Sequence, residues 1–338
     1  MLGDAYLDTR VSLFAQGLWS DDELTALVRR SPAEVSQALN ARGLTELAAG
    51  YSIHSSLEAR IIARLLQESR ILVRPLQGEE RQFLLYWIRR FEVSNVKTLI
   101  RARLSGERQA ELAPKLIDMG PFARLDLTAL TQTEDVRSLM RALEAGPYAE
   151  IVRHARRAFE DSQDPFILDA TLDRAYLEGL VRHARAVEGG PGAALHGLMS
   201  RLIDRINLVW LLRYRFNYDL PPPRVYYLLV GAHYQLGADL LRRLVTLPDL
   251  AAVLAALPTV YARLLAGADD VFAVTCRLEN AAAVHARRVL RSDAPPLARA
   301  FAYLLLRERG LRGLRAVLRG HHLGLPEDLI GRALGHLH

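Results

Sequence analysis

Across 338 residues the chain is 50% hydrophobic, carries a formal net charge of +6 and contains a single cysteine, Cys276. That balance excludes a disordered chain and an internal disulfide, and the one-cysteine usage fits a reducing compartment. The longest apolar stretch, Asp249 to Arg263, is interrupted by Pro258 and falls short of the roughly 20 residues a membrane-spanning helix needs, so any membrane association is expected to be peripheral.

The length allows about two domains. Lys97 and Lys115 are the only lysines, so the positive charge is almost all arginine. It is distributed among acids, as at Arg137, Arg141 and Glu144, rather than gathered into a run with stacking aromatics. In chain order, Asp4 and Asp8 near the start argue against a signal peptide. Ser20-Asp-Asp-Glu23, Ser31-Pro-Ala-Glu34 and Ser55-Ser-Leu-Glu58 each predict a capping box, and Pro32 suits the first turn of a helix. Breaks are expected at Gly120-Pro121, Gly189-Gly-Pro-Gly192, Pro221-Pro-Pro223 and Pro295-Pro296, and Pro326 opens a last short helix through Leu334. Val225 to Tyr234 is β-branched and aromatic enough for a strand but has nothing nearby to pair with. The reading is all-α.

One helical phrase comes round three times. Glu92-Val-Ser-Asn95-Val-Lys97-Thr-Leu99-Ile-Arg101 is followed, 112 residues on, by Asp204-Arg-Ile-Asn207-Leu-Val-Trp-Leu211-Leu-Arg213. A worn copy, Gly310-Leu-Arg-Gly313-Leu-Arg315-Ala-Val317-Leu-Arg319, stands 106 residues further along. Leu-acid pairs precede each copy: Leu57-Glu58, Leu172-Asp173 and Leu278-Glu279, at 38, 35 and 35 residues from Asn95, Asn207 and Gly313. Upstream again come Leu24-Thr-Ala-Leu27, Leu127-Thr-Ala-Leu130 and Leu241-Arg-Arg-Leu244, leading to helices ending near Leu39, Leu143 and Leu257. Three marks in the same order predict an internal triplication, with repeats at 1–112, 113–225 and 226–338 forming one integrated unit.

Within the phrase, acid, amide and leucine at i, i+3 and i+7 share one helix face, while Lys97 and Arg101, like Arg315 and Arg319, line another. An acid and an amide in an apolar stripe cost about 1–3 kcal/mol per orphaned group unless bonded. Glu92 with Asn95 and Asp204 with Asn207 are therefore expected to fix a neighbouring helix or loop of their own repeat. Gly310 and Gly313 remove both groups at once, which predicts a third helix that is kinked, tightly packed or loosened. The repeat acids Glu58, Asp173 and Glu279 read as a fold requirement, because an active site is not normally built three times in one chain.

Signals for chemistry are weak. Pro191 breaks any dinucleotide fingerprint at Gly189–Gly192, and neither lysine is near enough to serve a phosphate loop. His321-His322 and His336-Leu-His338 lack carboxylate or cysteine at ligand spacing and read as surface histidines. Cys276 has no histidine nearby in sequence and reads as a buried, inert thiol. No catalytic residue, cofactor, metal or small-molecule substrate is expected. Two rival classes stay open: a helical-repeat scaffold that binds nucleic acid, and an enzyme assembled from distant groups such as His154, Glu160 and Tyr176.

The phrase Glu92 to Gly106 is similar to the acid-x-x-Asn-Leu-Lys-x-x-hydrophobic-Arg signature of the C subunits of archaeal and bacterial V/A-type ATP synthases, a family that includes the d subunits of eukaryotic vacuolar ATPases. Glu92, Asn95, Lys97 and Arg101 match it position by position. Tyr6-Leu-Asp-Thr-Arg10-Val resembles the family's N-terminal block, with Asp8 and Thr9 departing from it. Ala302-Tyr303 through Arg307-Glu308, Leu314-Arg315, Gly320 and Gly324-Leu-Pro326 resemble its C-terminal block, where the family more often keeps an acid and an asparagine at the places of Gly310 and Gly313. The resemblance implies a funnel-shaped protein of three pseudo-symmetric three-helix modules. It further implies a non-catalytic place on the cytoplasmic face of the membrane, between the central-shaft subunits and the proteolipid ring of a rotary motor, carrying torque without binding nucleic acid.

Overall fold

The structure, a computed structural model, describes residues 2–48, 57–107, 109–162, 164–187, 192–232 and 234–335, and among them it is helical with no strand. In chain order α1 (Leu2–Ala15), α2 (Asp21–Val28), α3 (Pro32–Ala41) and α4 (Thr45–Ala48) lead to α5 (Leu57–Val73), α6 (Gly78–Ile88) and α7 (Arg90–Ser105). Then α8 (Gln109–Leu112), α9 (Leu127–Thr131), α10 (Val136–Glu144) and α11 (Ala149–Ser162) lead to the long α12 (Pro165–Ala186) and α13 (Gly192–Leu212). A π turn at Arg213–Asn217, α14 (Pro222–Leu228), α15 (Ala238–Leu244), α16 (Leu250–Ala255) and α17 (Thr259–Leu264) lead to α18 (Val271–Arg291) and α19 (Pro296–His322), and α20 (Glu327–Ala333) closes the described chain. Short helices followed by a long pair is thus the rhythm throughout.

The helix starts obey the sequence. Ser20 and Ser31 both complete capping boxes: each hydroxyl accepts from the amide of Glu23 or Glu34, whose carboxylate accepts the serine amide in return at 2.8 Å. Pro32 occupies the first turn of α3, and Asp135, Asp249 and Asp270 cap α10, α16 and α18 through their side chains. The expected box at Ser55 to Glu58 and the loop at Gly189 to Pro191 lie outside the described residues, as do His336 to His338. Val225 to Leu228 belongs to helix α14, so the β-branched run there forms no strand.

Two compact units make up the chain: one from residues 1–76, 191–226 and 233–338, the other from 77–190 and 227–232. This partition follows packing and differs from the division at 112 and 225 suggested by the recurrence of sequence. In the second unit α6 and α7 lie on α12, with α10 and α11 alongside. Phe83, Leu84, Leu99 and Leu172 are fully buried there, each contributing about 1.5–3 kcal/mol by leaving water. Gly179 lets α12 approach the Tyr86 ring, which stacks on Tyr176 at 5.4 Å. The Tyr176 hydroxyl donates to the Trp87 carbonyl at 3.0 Å.

In the first unit α13 lies on α18, and α19 is the spine against which α1, α2, α5, α18 and α20 pack. Its core holds Phe301 and Tyr303 together with an ionic cluster. Glu68 accepts from Tyr303 Oη at 2.7 Å, from Arg307 at 2.8 and 3.0 Å and from Arg64 Nε at 2.7 Å, with both Glu68 and Arg307 4% exposed. Arg307 also donates to the Gly17 carbonyl at 3.1 Å. A buried carboxylate is tolerated only when so satisfied.

Of the three outcomes expected for the glycines of α19, close packing is the one found. The helix runs unbroken through both. A Cβ at Gly310 would touch Trp19 at 3.8 Å, and one at Gly313 would meet Leu24 at 2.8 Å and Leu334 at 3.3 Å.

Candidate functional site

The repeated phrase lies on α7, α13 and α19, and its polar groups form two kinds of contact. The first is a buried clamp. Glu92, 1% exposed, accepts from the amides of Arg124 and Leu125 at 2.7 and 2.8 Å and from the Tyr148 hydroxyl at 2.5 Å. Asn95 grips Ile117 at both ends of its peptide edge: Nδ2 donates to the Ile117 carbonyl at 2.8 Å and Oδ1 accepts its amide at 2.7 Å. In α13, Asp204 repeats the acid's part. It accepts from the amides of Gln235 and Leu236 at 3.2 and 3.3 Å, from Tyr261 Oη at 2.8 Å and from Ser200 Oγ at 3.3 Å.

The chain separations agree closely. The amide partners lie 32 and 33 residues after Glu92 and 31 and 32 after Asp204, and the tyrosines lie 56 and 57 after their acids. Burial pushes the Asp204 carboxyl above the usual carboxylate range, against four hydrogen bonds that favour its charged form. Burial likewise raises the hydroxyls of Tyr148 and Tyr261, and the facing carboxylate raises each further, so both remain proton donors at neutral pH. Asn207 is fully buried beside this clamp.

The clamp corrects one expectation. Its partners do not lie inside the acid's own repeat as bounded by sequence: Ile117, Arg124, Leu125 and Tyr148 stand beyond residue 112, and Gln235, Leu236 and Tyr261 beyond 225. Each phrase helix is tied forward to the segment that follows it.

The second contact is an ion pair between a phrase helix and a long helix bearing a repeat acid. Lys97 Nζ sits 2.8 Å from both Asp173 oxygens on α12. Arg205 on α13 reaches Glu279 on α18 at 2.6 Å, where Arg312 joins at 3.3 Å. Arg315 on α19 reaches Glu58 on α5 at 3.0 Å. All three repeat acids are therefore bound by a cation from a phrase helix. Burial raises the Asp173 carboxyl despite Lys97, whereas the guanidiniums of Arg312 and Arg205 outweigh burial at Glu279 and hold its carboxyl below the usual range. Arg101 adds a pair to Asp169, with Nε at 2.8 Å, while Arg213 and Arg319 are exposed.

Several of these partners were not singled out from sequence: Tyr148, Tyr261, Arg205 and the Glu68–Arg307 pair. The tyrosines carried a signal in their matching separations from the acids, whereas Glu68 and Arg307, 239 residues apart, carried none.

Little here is arranged for bond chemistry. Cys276 is buried, and burial pushes its thiol up, away from the reactive thiolate. Glu160 pairs with Arg156 at 2.8 Å, the Tyr176 hydroxyl is committed to a carbonyl and His154 is exposed. Among the described residues no group of three His, Cys, Asp or Glu could hold a metal ion, and no helix is long and apolar enough to cross a membrane.

Comparison with known proteins accounts for an arrangement of this kind. The chain is 25% identical to the A-type ATP synthase C subunit of Methanothermobacter thermautotrophicus, over 98% of this chain and 87% of that one. It is 24% identical to the corresponding C subunit of Halorubrum lacusprofundi and 23% identical to that of Halobacterium salinarum, each over 96% of this chain and 95% of the relative. The family profile described as ATP synthase (C/AC39) subunit matches residues 7–333. With its clamps and cross-helix ion pairs spread along nearly the whole of that match, the chain belongs to the ATP synthase (C/AC39) subunit family.

Proposed function

We propose that this chain is the non-catalytic central-stalk connector of a rotary V/A-type ATP synthase, joining the central-shaft subunits to the membrane proteolipid ring and passing torque between them. The observation that carries the reading is the forward clamp built twice, at Glu92 and Asp204, on a chain matched end to end by proteins named for such a complex. A part that transmits torque must resist shear between neighbouring helices. A buried carboxylate holding two amides and a tyrosine hydroxyl does so without depending on exposed, salt-screened contacts. The three-module organisation at 1–112, 113–225 and 226–338 belongs to the same proposal, as does a position peripheral to the cytoplasmic face of the membrane. Arginine-rich helix faces would favour docking to acidic or polar partner surfaces.

The test is recovery of partners. The tagged chain is pulled from its own detergent-solubilised membranes at moderate salt and the eluate read by mass spectrometry. Proteolipid-ring and shaft proteins are the expected companions. Nucleic acid or unrelated soluble proteins in their place would replace the connector reading with that of a helical scaffold.

A further inference from the structure

The third phrase departs from the other two where a cleft borders α19. At the place of Asn95 and Asn207 stands Gly313, without a side chain, and with Ala316 it floors a cleft of about 350 Å³. That volume lies within the range of small-ligand pockets. One wall is apolar, from Leu24 and Leu334. The other is cationic: Arg309, Arg312 and Arg319 stand at i, i+3 and i+10 along one face of α19, and Arg315 flanks them. Arg319 is exposed and makes no ion pair among the described residues.

The local charge balance favours an anion. Asp21 and Glu279 also line the cleft, but each is already shared by two arginines, Asp21 by Arg287 and Arg309 and Glu279 by Arg205 and Arg312. Glu58 answers Arg315, and Glu308 acts on Arg205 and Arg312 through its charge. Six guanidiniums therefore face four carboxylates. Arginine forks match the oxygens of a phosphate two at a time, which a lysine cluster would not do. No aromatic side chain lines the cleft to stack a base, and its size suits one small molecule rather than a strand.

We infer that this cleft is a binding site for a small phosphate-bearing anion, held by Arg312, Arg315 and Arg319 over the floor of Gly313 and Ala316. The site is independent of the torque-bearing contacts on α7 and α13, so it stands or falls apart from the connector role.

The test uses the purified full chain, titrated calorimetrically with inorganic phosphate and with pyrophosphate in low-chloride buffer. A flotation arm uses neutral vesicles with and without phosphatidic acid. Saturable binding near one equivalent is expected. Arg319→Ala, at an exposed position, weakens it about tenfold or more, as loss of one charge-assisted fork implies. Ala316→Leu fills the floor and abolishes binding, with circular dichroism confirming that both variants fold. Arg242→Ala, on an exposed surface helix elsewhere, changes nothing. Binding of the free anions without vesicle recruitment assigns a soluble phosphate compound, and recruitment to phosphatidic acid lost in the same variants assigns a lipid headgroup. Absence of saturable binding in both arms, or binding equal in wild type, Arg319→Ala and Ala316→Leu, overturns the inference.

Discussion

Replacing Asn95 by alanine isolates one half of the buried clamp. The side chain is 1% exposed, and its amide serves the N–H and the C=O of Ile117 together, at 2.7 and 2.8 Å. Alanine leaves both backbone groups without those partners, at about 1–3 kcal/mol each. Partial entry of water into the vacated space brings the expected loss to roughly 2–4 kcal/mol, chiefly in the unit formed by residues 77–190 and 227–232. Native-state hydrogen exchange is the informative assay, because it reads the Ile117 amide itself: its protection should fall by about 10- to 100-fold, with a parallel drop in the urea midpoint. Asn95→Asp sharpens the test. It keeps an acceptor for the Ile117 amide but turns a carboxylate oxygen toward the Ile117 carbonyl, so the folded protein favours the protonated acid. Such an acid, raised on folding, contributes most at low pH and loses that contribution as pH rises through its folded pKa. Asn95→Asp should therefore approach wild type near pH 4 and fall away at pH 7. Unchanged Ile117 exchange in Asn95→Ala, or an Asn95→Asp penalty that grows on acidification, would refute the clamp.

Other outcomes follow from the same contacts. Asn207→Ala, at a fully buried position, should lower the melting temperature with no catalytic phenotype, and normal melting there would count against the reading of the second phrase. Arg307→Leu leaves Glu68 without its main cation and should cost about 3–5 kcal/mol by urea denaturation. Gly310→Ala should stabilise by about 0.5–1 kcal/mol, since a Cβ there meets Trp19 at an ordinary 3.8 Å and α19 gains helix propensity. Gly179→Ala should destabilise by about 1–3 kcal/mol, because its Cβ would overlap the buried Tyr86 ring. Glu279 gives the pH dependence: its carboxyl is lowered on folding, so its contribution is present above the unfolded carboxylate range and lost as pH falls through the folded value. The stability gap between wild type and Glu279→Gln should accordingly shrink as a denaturation series is carried from pH 7 toward pH 3.

What could be read from the sequence was what local rules determine. The serine boxes, the aspartate caps and the prolines placed helix starts because capping is decided within four residues. The acid and amide of the phrase announced a buried polar clamp because an apolar stripe cannot hold them otherwise. The direction of the clamp was not legible. Nothing within the phrase says whether Glu92 turns back into its own helices or forward to Arg124 and Leu125, and the tyrosines that complete each site stand more than fifty residues away. The Glu68–Arg307 cluster was hidden for the same reason, since its members look like ordinary surface charges on two amphipathic helices until tertiary packing brings them together.

The ion pairs between long helices are held by position rather than by residue. Lys97 stands two residues after Asn95 and Arg315 two after Gly313, and both bind a repeat acid; in α13 the same place is taken by Val209, which cannot. There Arg205, one turn earlier on the same face, supplies the cation to Glu279 instead. A one-turn substitution works because residues four apart on a helix are neighbours and an arginine is long enough to cover the difference. The three pairs nevertheless differ in strength. Side chains of the Arg205–Glu279 pair are 20% and 27% exposed, against 41% and 63% for Arg315–Glu58. The latter sits in solvent, where an ion pair is worth about 0–1 kcal/mol and fades with salt. The tie between α19 and α5 must therefore rest on the Glu68–Arg307–Tyr303 cluster beneath it, which is shielded from both water and ions. That division explains why the third phrase can lose its acid and amide: α19 is anchored from another face, and the two glycines serve the close approach of Trp19 and Leu24.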